Sequence, residues 1–432
     1  MKSISITIIL LFSSFISNAD PFVTTKWQTA NNAHAILYSE TSIPMLDINI
    51  AFTAGSAYDG NQFGLSALTT NLLDKGNNHF NADQIAEQFA TIGAQFATST
   101  TKDMIIIHLR TLTNKTALQQ AIKTLALIIN HPDFTSRTLN NERNRLLLTI
   151  KHDEESIDSI GNDAMLNAIY QHHPYAHSVI GTTKTVTNIN NWHVRNFYKR
   201  YFVGSNATIV LAGDINQEQA HAITDKLLAK LPTGIPAPNI ALPPKTQHKI
   251  ININFPTTQT LLLLGHLGIT YNDADYFPLL VGNYILGGPT MTSRLINTVR
   301  EQYGLTYNIN SNITPLLTKG TFIISLATQN QQAQQALTLT TKVLNNFLKN
   351  PVTRKDLVTA KKYLIGSFPL SLASNNNIAN ILLQIEFYHL PENFLTTYLA
   401  NINAVSATQI QAAFNRIIQA QDMIEINVHG KN

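Results

Sequence analysis

The sequence predicts an α+β protein of two homologous αβ domains, each a mostly antiparallel sheet with helices packed on it. Three observations predict this class. The chain has 432 residues, which exceeds one ordinary domain. Strand and helix patterns follow β-β-α-α-β-β-α-α order rather than strict β-α alternation. The order found in the first half recurs in the second, which indicates an internal duplication.

The first half begins with strand patterns of alternating, β-branched residues. These patterns predict strands over 35–38, 46–52, 95–99, 104–109 and 207–212. A turn-rich loop over 55–64 precedes a helix in which Leu65, Leu68 and Leu72 share one face, and we expect Gly76 to end that helix. Apolar spacing and capping residues predict further helices over 82–92, 116–129, 137–155 and 192–201, and another that ends near 231.

The second half repeats these signals after a segment rich in proline and glycine. Strands are predicted over 250–255 and 260–264, followed by a helix that ends at Gly287-Gly288. Two long helices, divided by Pro351 as the earlier pair is divided by Pro132, complete the match. We therefore predict an N-terminal domain over 20–231, a Pro-rich linker over 232–246 and a C-terminal domain over 247–432.

The first 19 residues have the pattern of a signal peptide. Lys2 provides the positive start, residues 4–16 form a short apolar run, and Ser17-Asn-Ala19 is a small-x-small cleavage site. A membrane anchor would need about 20 apolar residues, and this run is shorter. The pattern predicts export, with the periplasm as the destination in a Gram-negative bacterium.

Composition excludes several kinds of function. The chain has no cysteine, so it can form neither a disulfide nor a thiolate metal site, and it has no thiol nucleophile. Its formal charge of +4 is mild, and the absence of a basic run argues against nucleic-acid binding. There is also no Gly-x-Ser-x-Gly nucleophile elbow.

The segment Gly64-Leu-Ser-Ala-Leu-Thr-Thr-Asn-Leu-Leu-Asp-Lys-Gly76 resembles the first helix of the insulinase/pitrilysin-type (M16) zinc peptidases. Active members there read roughly Gly-x-x-His-x-x-Glu-His-x-Leu-x-x-Gly, with two zinc-binding histidines and a general base. Those three places are Ala67, Thr70 and Asn71 in this chain. The third ligand of active members, a glutamate seven residues after a Glu-Arg pair, falls on Thr149. The resemblance thus implies a chain with no metal or catalytic centre of its own.

The resemblance spans nearly all of the chain after the signal peptide. It includes Asn141-Glu-Arg143, His173-Pro-Tyr175, Ile209-Val-Leu-Ala-Gly-Asp-Ile215, Ile285-Leu-Gly-Gly288 and Val299-Arg-Glu-Gln-Tyr-Gly-Leu-Thr-Tyr307. It implies that two such chains close around a peptide. In the two-chain bacterial members one chain carries zinc, and its partner supplies an Arg/Tyr pair that reaches toward the substrate. Arg300 and Tyr307 stand at those two places. The alternative is that Arg300 ends a helix favourably for its dipole and Tyr307 packs at the start of a strand.

A replacement metal site could in principle use His172, His173 and His177 together with the segment 152–155. We expect instead that these residues lie in a loop and on a solvated helix face. The first functional hypothesis is a non-catalytic subunit of an exported heterodimeric zinc peptidase, with zinc in an HxxEH-bearing partner chain. The other two are a non-cleaving peptide-binding protein and a structural subunit of a larger assembly.

Overall fold

The computed structural model describes residues 22–430 and contains one sheet from each half of the chain. The strands are β1 (Thr25–Gln28), β2 (His34–Ser39), β3 (Met45–Phe52), β4 (Gln95–Thr100), β5 (Ile105–Leu112), β6 (Ala207–Gly213), β7 (Lys249–Asn254), β8 (Gln259–Leu267), β9 (Ile309–Thr314), β10 (Thr321–Gln329) and β11 (Ile424–His429). The helices are α1 (Leu65–Leu72), α2 (Ala82–Ala90), α3 (Lys115–Asn130), α4 (Ser136–Asp153), α5 (Ile157–Tyr170), α6 (Thr183–Asn188), α7 (Asn191–Tyr201), α8 (Gln217–Leu228), α9 (Tyr276–Gly287), α10 (Ala333–Lys349), α11 (Arg354–Ser367), α12 (Asn375–Phe387), α13 (Phe394–Ala404) and α14 (Ala407–Ile417).

The two sheets share one topology. The first has the order β1-β2-β6-β3-β5-β4 and the second β7-β11-β8-β10-β9. Within each, one pair is parallel, β2 with β6 and β7 with β11, and the other pairs are antiparallel. Apart from β1, the strands correspond one to one between the halves. The predicted fold class, two homologous αβ domains with mostly antiparallel sheets, is confirmed.

Each sheet buries one face against helices of its own half. Ile48 and Leu109 in the first sheet belong to a core with the helices α1, α3, α4 and α8. Phe322 and Ile324 in the second sheet belong to a core with α9, α10 and α14. Alternating side chains along a strand point to opposite faces, so the other face of each sheet needs a separate cover.

That cover comes from the opposite half of the chain. Helix α5 of the first half packs on β8 and β11, and helix α12 of the second half packs on β3 and β6. The approach of α5 is close: a Cβ added at Gly265 on β8 would lie 2.1 Å from the sulfur of Met165 on α5. Any side chain at position 265 would therefore force Met165 to move. The halves are therefore joined by an exchange of helices as well as by the linker.

A buried carboxylate strengthens the junction between the halves. Asp103 is fully buried and accepts a hydrogen bond from the hydroxyl of Tyr175 in its own half. From the second half it accepts hydrogen bonds from the Leu317 backbone N–H at 3.0 Å and from the Tyr388 hydroxyl at 3.1 Å. Burial raises the pKa of the Asp103 carboxyl, and these donors oppose the rise.

The structure corrects the predicted end of α1, and it does not describe the predicted signal peptide. The prediction that α1 ends at Gly76 is wrong, because the helix ends at Leu72 and the chain then turns. Gly76 has φ of 153° and forms an isolated bridge with Asn81 instead. The predicted signal peptide lies outside the described residues. Within residues 22–430, no helix is both long and apolar enough to cross a membrane.

Candidate functional site

The start of helix α1 is held by a glycine turn and by a buried carboxylate. Gly64 precedes it with φ of 91°, and a Cβ there would lie 2.5 Å from the carbonyl oxygen of Ile180. The carboxylate of Asp59 accepts hydrogen bonds from the backbone N–H groups of Gly64 and Ser66, both at 2.7 Å. A carboxylate at a helix N-terminus satisfies donors that have no partner within the helix. Complete burial raises the pKa of Asp59 to about 7.

The three α1 positions that carry zinc chemistry in active relatives have different surroundings here. Ala67 is 5% exposed and Thr70 is 1% exposed, whereas Asn71 is exposed. The Thr70 hydroxyl donates to the carbonyl of Ser66 at 2.8 Å and accepts from the hydroxyl of Thr100 at 2.9 Å. Both of these hydrogen bonds lie inside the first half, and a neutral buried threonine hydroxyl does not replace the glutamate of active relatives as a general base.

The fourth position, Thr149, lies on α4, which packs against α1. Its hydroxyl is exposed and donates to the carbonyl of Arg145 one turn earlier, at 3.2 Å. Together the four positions offer one amide and two hydroxyls and no charged ligand. No group of three or more histidine or acidic side chains placed to hold a metal ion occurs anywhere in residues 22–430.

The histidines considered as a replacement site have other partners. His173 accepts at Nδ1 from the backbone N–H of Tyr175 at 3.1 Å, and Nε2 donates to the carbonyl of Ala241 at 2.8 Å. Both nitrogens are therefore occupied, and the ring attaches the linker region to the first half. His177 stacks on Phe63 with ring centroids 4.1 Å apart, and burial lowers its pKa to about 4. The side chain of His152 is 83% exposed on α4.

A half-buried lysine close to Asp59 was not predicted from the sequence. Lys102 lies between strands β4 and β5 and donates to the carbonyl of His177. Burial lowers its pKa to about 8, while nearby Asp163, Asp59 and Asp103 act in the opposite direction. An isolated Lys-Asp pair in a predicted turn carries no sequence signal for burial, because the groups around Lys102 come from distant parts of the chain.

Arg300 and Tyr307 are brought together in the second half. Arg300 lies in a π-helical segment, Ile296–Gln302, which is wider than an α-helix. The Arg300 guanidinium carbon is 5.1 Å from the ring centroid of Tyr307, within the range of a cation–π contact. Arg300 Nε also lies 3.3 Å from a carboxylate oxygen of Glu301. The two predicted residues therefore form one unit.

The alternative interpretation of this pair fits only in part. Arg300 does lie in the last turn of its helical segment, where a cation is favourable. Tyr307, however, precedes β9 by two residues and is 86% exposed. It does not pack in a sheet. An exposed aromatic ring stacked on an arginine can instead contact a molecule outside this chain.

The sequence of this chain matches two models of one protein family. Residues 35–183 match the family model described as insulinase (peptidase family M16), and residues 188–364 match the model of the M16 inactive domain. The chain belongs to the M16 family. It is similar to a solved structure described as a peptidase M16 inactive domain from Pseudomonas fluorescens. That similarity has 32% identity and a TM-score of 0.92, and it covers 95% of this chain and 98% of that chain.

Curated bacterial relatives also align over most of their length. The "uncharacterized zinc protease YmxG" of Bacillus subtilis is 26% identical over 358 residues, covering 82% of this chain and 85% of that protein. The "non-peptidase homolog YmxG" of Helicobacter pylori is 26% identical over 384 residues, covering 87% of each. The predicted resemblance to M16 chains that lack a working zinc motif is confirmed.

Proposed function

We propose that this chain is the non-catalytic subunit of an exported, heterodimeric M16-type zinc metallopeptidase. It would form half of the peptide-binding chamber and direct Arg300 and Tyr307 to the active site of a partner chain. The partner would bring the HxxEH motif and zinc. One contrast carries the proposal: the zinc positions have no ligand set, while Arg300 and Tyr307 are assembled with the tyrosine ring exposed.

The chemistry of the pair suits a peptide carbonyl under attack by zinc-bound water. A tyrosine hydroxyl can donate a hydrogen bond to the oxyanion that develops. An arginine guanidinium stays charged and presents several donors in one plane. Because Glu301 approaches Nε, the two terminal nitrogens of Arg300 remain for the substrate.

The test is reconstitution with a chain that carries His-x-x-Glu-His, first sought in the neighbouring reading frame. The purified chain alone is expected to bind no stoichiometric zinc and to cleave no peptide. The co-purified complex is expected to contain zinc and to cleave. Tyr307→Phe removes only the hydroxyl and should lower the steady-state cleavage rate, while complex formation on a sizing column and the melting temperature stay unchanged.

Tyr303→Phe provides the matched control. Tyr303 lies four residues earlier, is 52% exposed and is not part of the stacked pair. Its hydroxyl should be dispensable. Equal activity of Tyr307→Phe and wild type would overturn the proposal. So would an equal loss in both tyrosine variants, because that result would indicate a general surface effect.

The two other hypotheses predict different outcomes in the same experiment. A peptide-binding protein would bind peptides as a purified chain, and no HxxEH partner would gain activity from it. A structural subunit would assemble with several other chains, and assembly would not depend on the Tyr307 hydroxyl.

A further inference from the structure

We infer that Thr306 and Thr328 are positioning residues that hold Tyr307 beside Arg300 before any substrate binds. This inference rests on the proposed function of the pair. It concerns the 303–308 loop, which connects the π-helical segment Ile296–Gln302 to β9.

The exposed fraction of the side chains changes sharply along this loop. Leu305 is 4% exposed and belongs to the core of the second half, and Thr306 is 8% exposed. Tyr307, the next residue, is 86% exposed. A side chain with so little packing of its own takes its direction from the backbone on either side. The groups that fix that backbone therefore decide where the Tyr307 hydroxyl points.

Thr306 fixes the backbone on both sides of Tyr307. Its hydroxyl oxygen lies 2.7 Å from the carbonyl of Asn308 and 2.6 Å from the carbonyl of Ala327 on β10. The single hydroxyl proton is available to either carbonyl. The same oxygen accepts from the backbone N–H of Asn308 at 3.2 Å. The contacts with Asn308 span Tyr307, and the contact with Ala327 attaches the loop to the sheet.

Thr328 holds the preceding residue. It is 3% exposed on β10, and its hydroxyl donates to the carbonyl of Leu305. Neighbouring strand residues, Ala327 and Thr328, thus bind neighbouring loop residues, Thr306 and Leu305. Both hydroxyls are buried, where a lost hydrogen bond leaves a carbonyl oxygen without a partner.

Leu305 also closes the turn that carries Arg300. The backbone N–H of Leu305 donates to the carbonyl of Val299 at 3.0 Å, and that of Gly304 donates to the carbonyl of Arg300 at 2.8 Å. Gly304 has φ of 64°, which glycine adopts at no steric cost. Leu305 is therefore bonded through its N–H to the Arg300 turn and through its carbonyl to β10. Arg300 and Tyr307 share one hydrogen-bonded backbone unit.

The experiment uses the reconstituted complex and compares Thr306→Val with Thr306→Ser. Valine keeps the shape and removes the hydroxyl, whereas serine keeps the hydroxyl. A small displacement of a group acting on the transition state can cost about 10²-fold in rate. We expect Thr306→Val to lower kcat by about 10–100-fold and Thr306→Ser to restore most of it. Thr328→Val should act in the same direction, and it replaces Thr306→Val if that variant does not fold.

A double variant separates positioning from general destabilisation. In the Tyr307→Phe background no hydroxyl remains to be positioned, so adding Thr306→Val should change kcat by less than about twofold if the loss acts through that hydroxyl. Multiplying losses would overturn the inference. If Tyr307→Phe lowers kcat and folded Thr306→Val does not, only this inference fails. If Tyr307→Phe itself has no effect, the proposed function fails, and the inference fails with it.

Discussion

The degenerate metal position in the first half and the Arg300–Tyr307 pair in the second differ in backbone and in hydrogen bonding. The first lies on a regular α-helix, and the hydroxyls of Thr70 and Thr149 bond to their own helices. In the second, Arg300 lies on a π-helical segment, and Tyr307 follows in a loop with its ring exposed. Irregular turns persist only where surrounding contacts hold them, and they concentrate at functional sites. The comparison shows one position whose hydroxyls are bonded within their own helices and one pair that presents an aromatic ring to solvent.

The largest expected effect tests this difference directly with one substitution in each site. In the reconstituted complex, Arg300→Ala should lower kcat/KM for peptide cleavage by about 10²–10³, as for loss of one transition-state donor. Asn71→Ala should leave it unchanged, because the exposed amide has no ligand to hold. Both rates are measured at equal complex concentration. Equal losses would remove the distinction between the sites.

Restoring the family motif should have a large effect of a different kind. The variant Ala67→His, Thr70→Glu, Asn71→His and Thr149→Glu places larger groups at two buried positions. Overpacking costs about 1–3 kcal/mol at each such position, so the free energy of unfolding should fall by about 2–6 kcal/mol. Zinc at 100 times its dissociation constant should return about 2.7 kcal/mol.

Urea unfolding with zinc and with a chelator measures both changes. The control variant carries Thr149→Gln in place of Thr149→Glu and lacks the third charged ligand, so zinc should stabilise it less. A folded four-residue variant that zinc does not stabilise would show that these positions are not the counterparts of the metal site.

The next prediction concerns the pH dependence of stability and tests whether His177 has a structural role. His177 is buried with its pKa lowered to about 4, whereas an unfolded histidine titrates near 6.5. Between those values the unfolded chain binds more protons, so stability falls as pH falls from about 6.5 to about 4, by up to about 3 kcal/mol. His177→Asn should lose this contribution. The opposing effect of buried Asp59 is common to both proteins and cancels in the difference.

The measurement is urea unfolding of wild type and variant across that pH window, with His152→Asn as the exposed control. Identical pH slopes for wild type and His177→Asn would contradict a buried neutral imidazole. Stabilisation of the wild type by added zinc would contradict the structural role.

The smallest expected effect concerns the hydroxyl of Thr70. Thr70→Val keeps the shape and removes the bonds to Ser66 and Thr100, which should cost about 1 kcal/mol of stability. Thermal or urea unfolding of the isolated chain is sufficient. Peptide cleavage by the complex should not change beyond the loss of folded protein. A specific loss of activity would mean that α1 still takes part in function.

The sequence was sufficient for much of the fold and for the location of the pair. Alternation located β2 to β8 but not β1, β9, β10 or β11, and the repeated order predicted two homologous domains. No helix was predicted at α5, because Gly161 weakens the helix signal and the apolar face of α5 meets β8 and β11, which come from the other half of the chain. The residues Arg300 and Tyr307 were predicted, but the wide turn between them was not. The segment is closed by a bond from the Leu305 N–H to the carbonyl of Val299, and Leu305 is held by the core and by Thr328 of β10, contacts that come from distant parts of the chain.

The exchange of α5 and α12 has a consequence for the order in which the protein can mature. A chain that emerges N-terminus first, from a ribosome or through a membrane pore, presents α5 long before β8 and β11 exist beside it. The last docking strand, β11, ends at His429, near the C-terminus. One face of the first sheet stays uncovered until α12 emerges, and the apolar side of α5 is not fully covered until β11 follows β8. We expect chains that stop before these elements to expose apolar surface and to be degraded or to aggregate rather than accumulate as a folded half-protein.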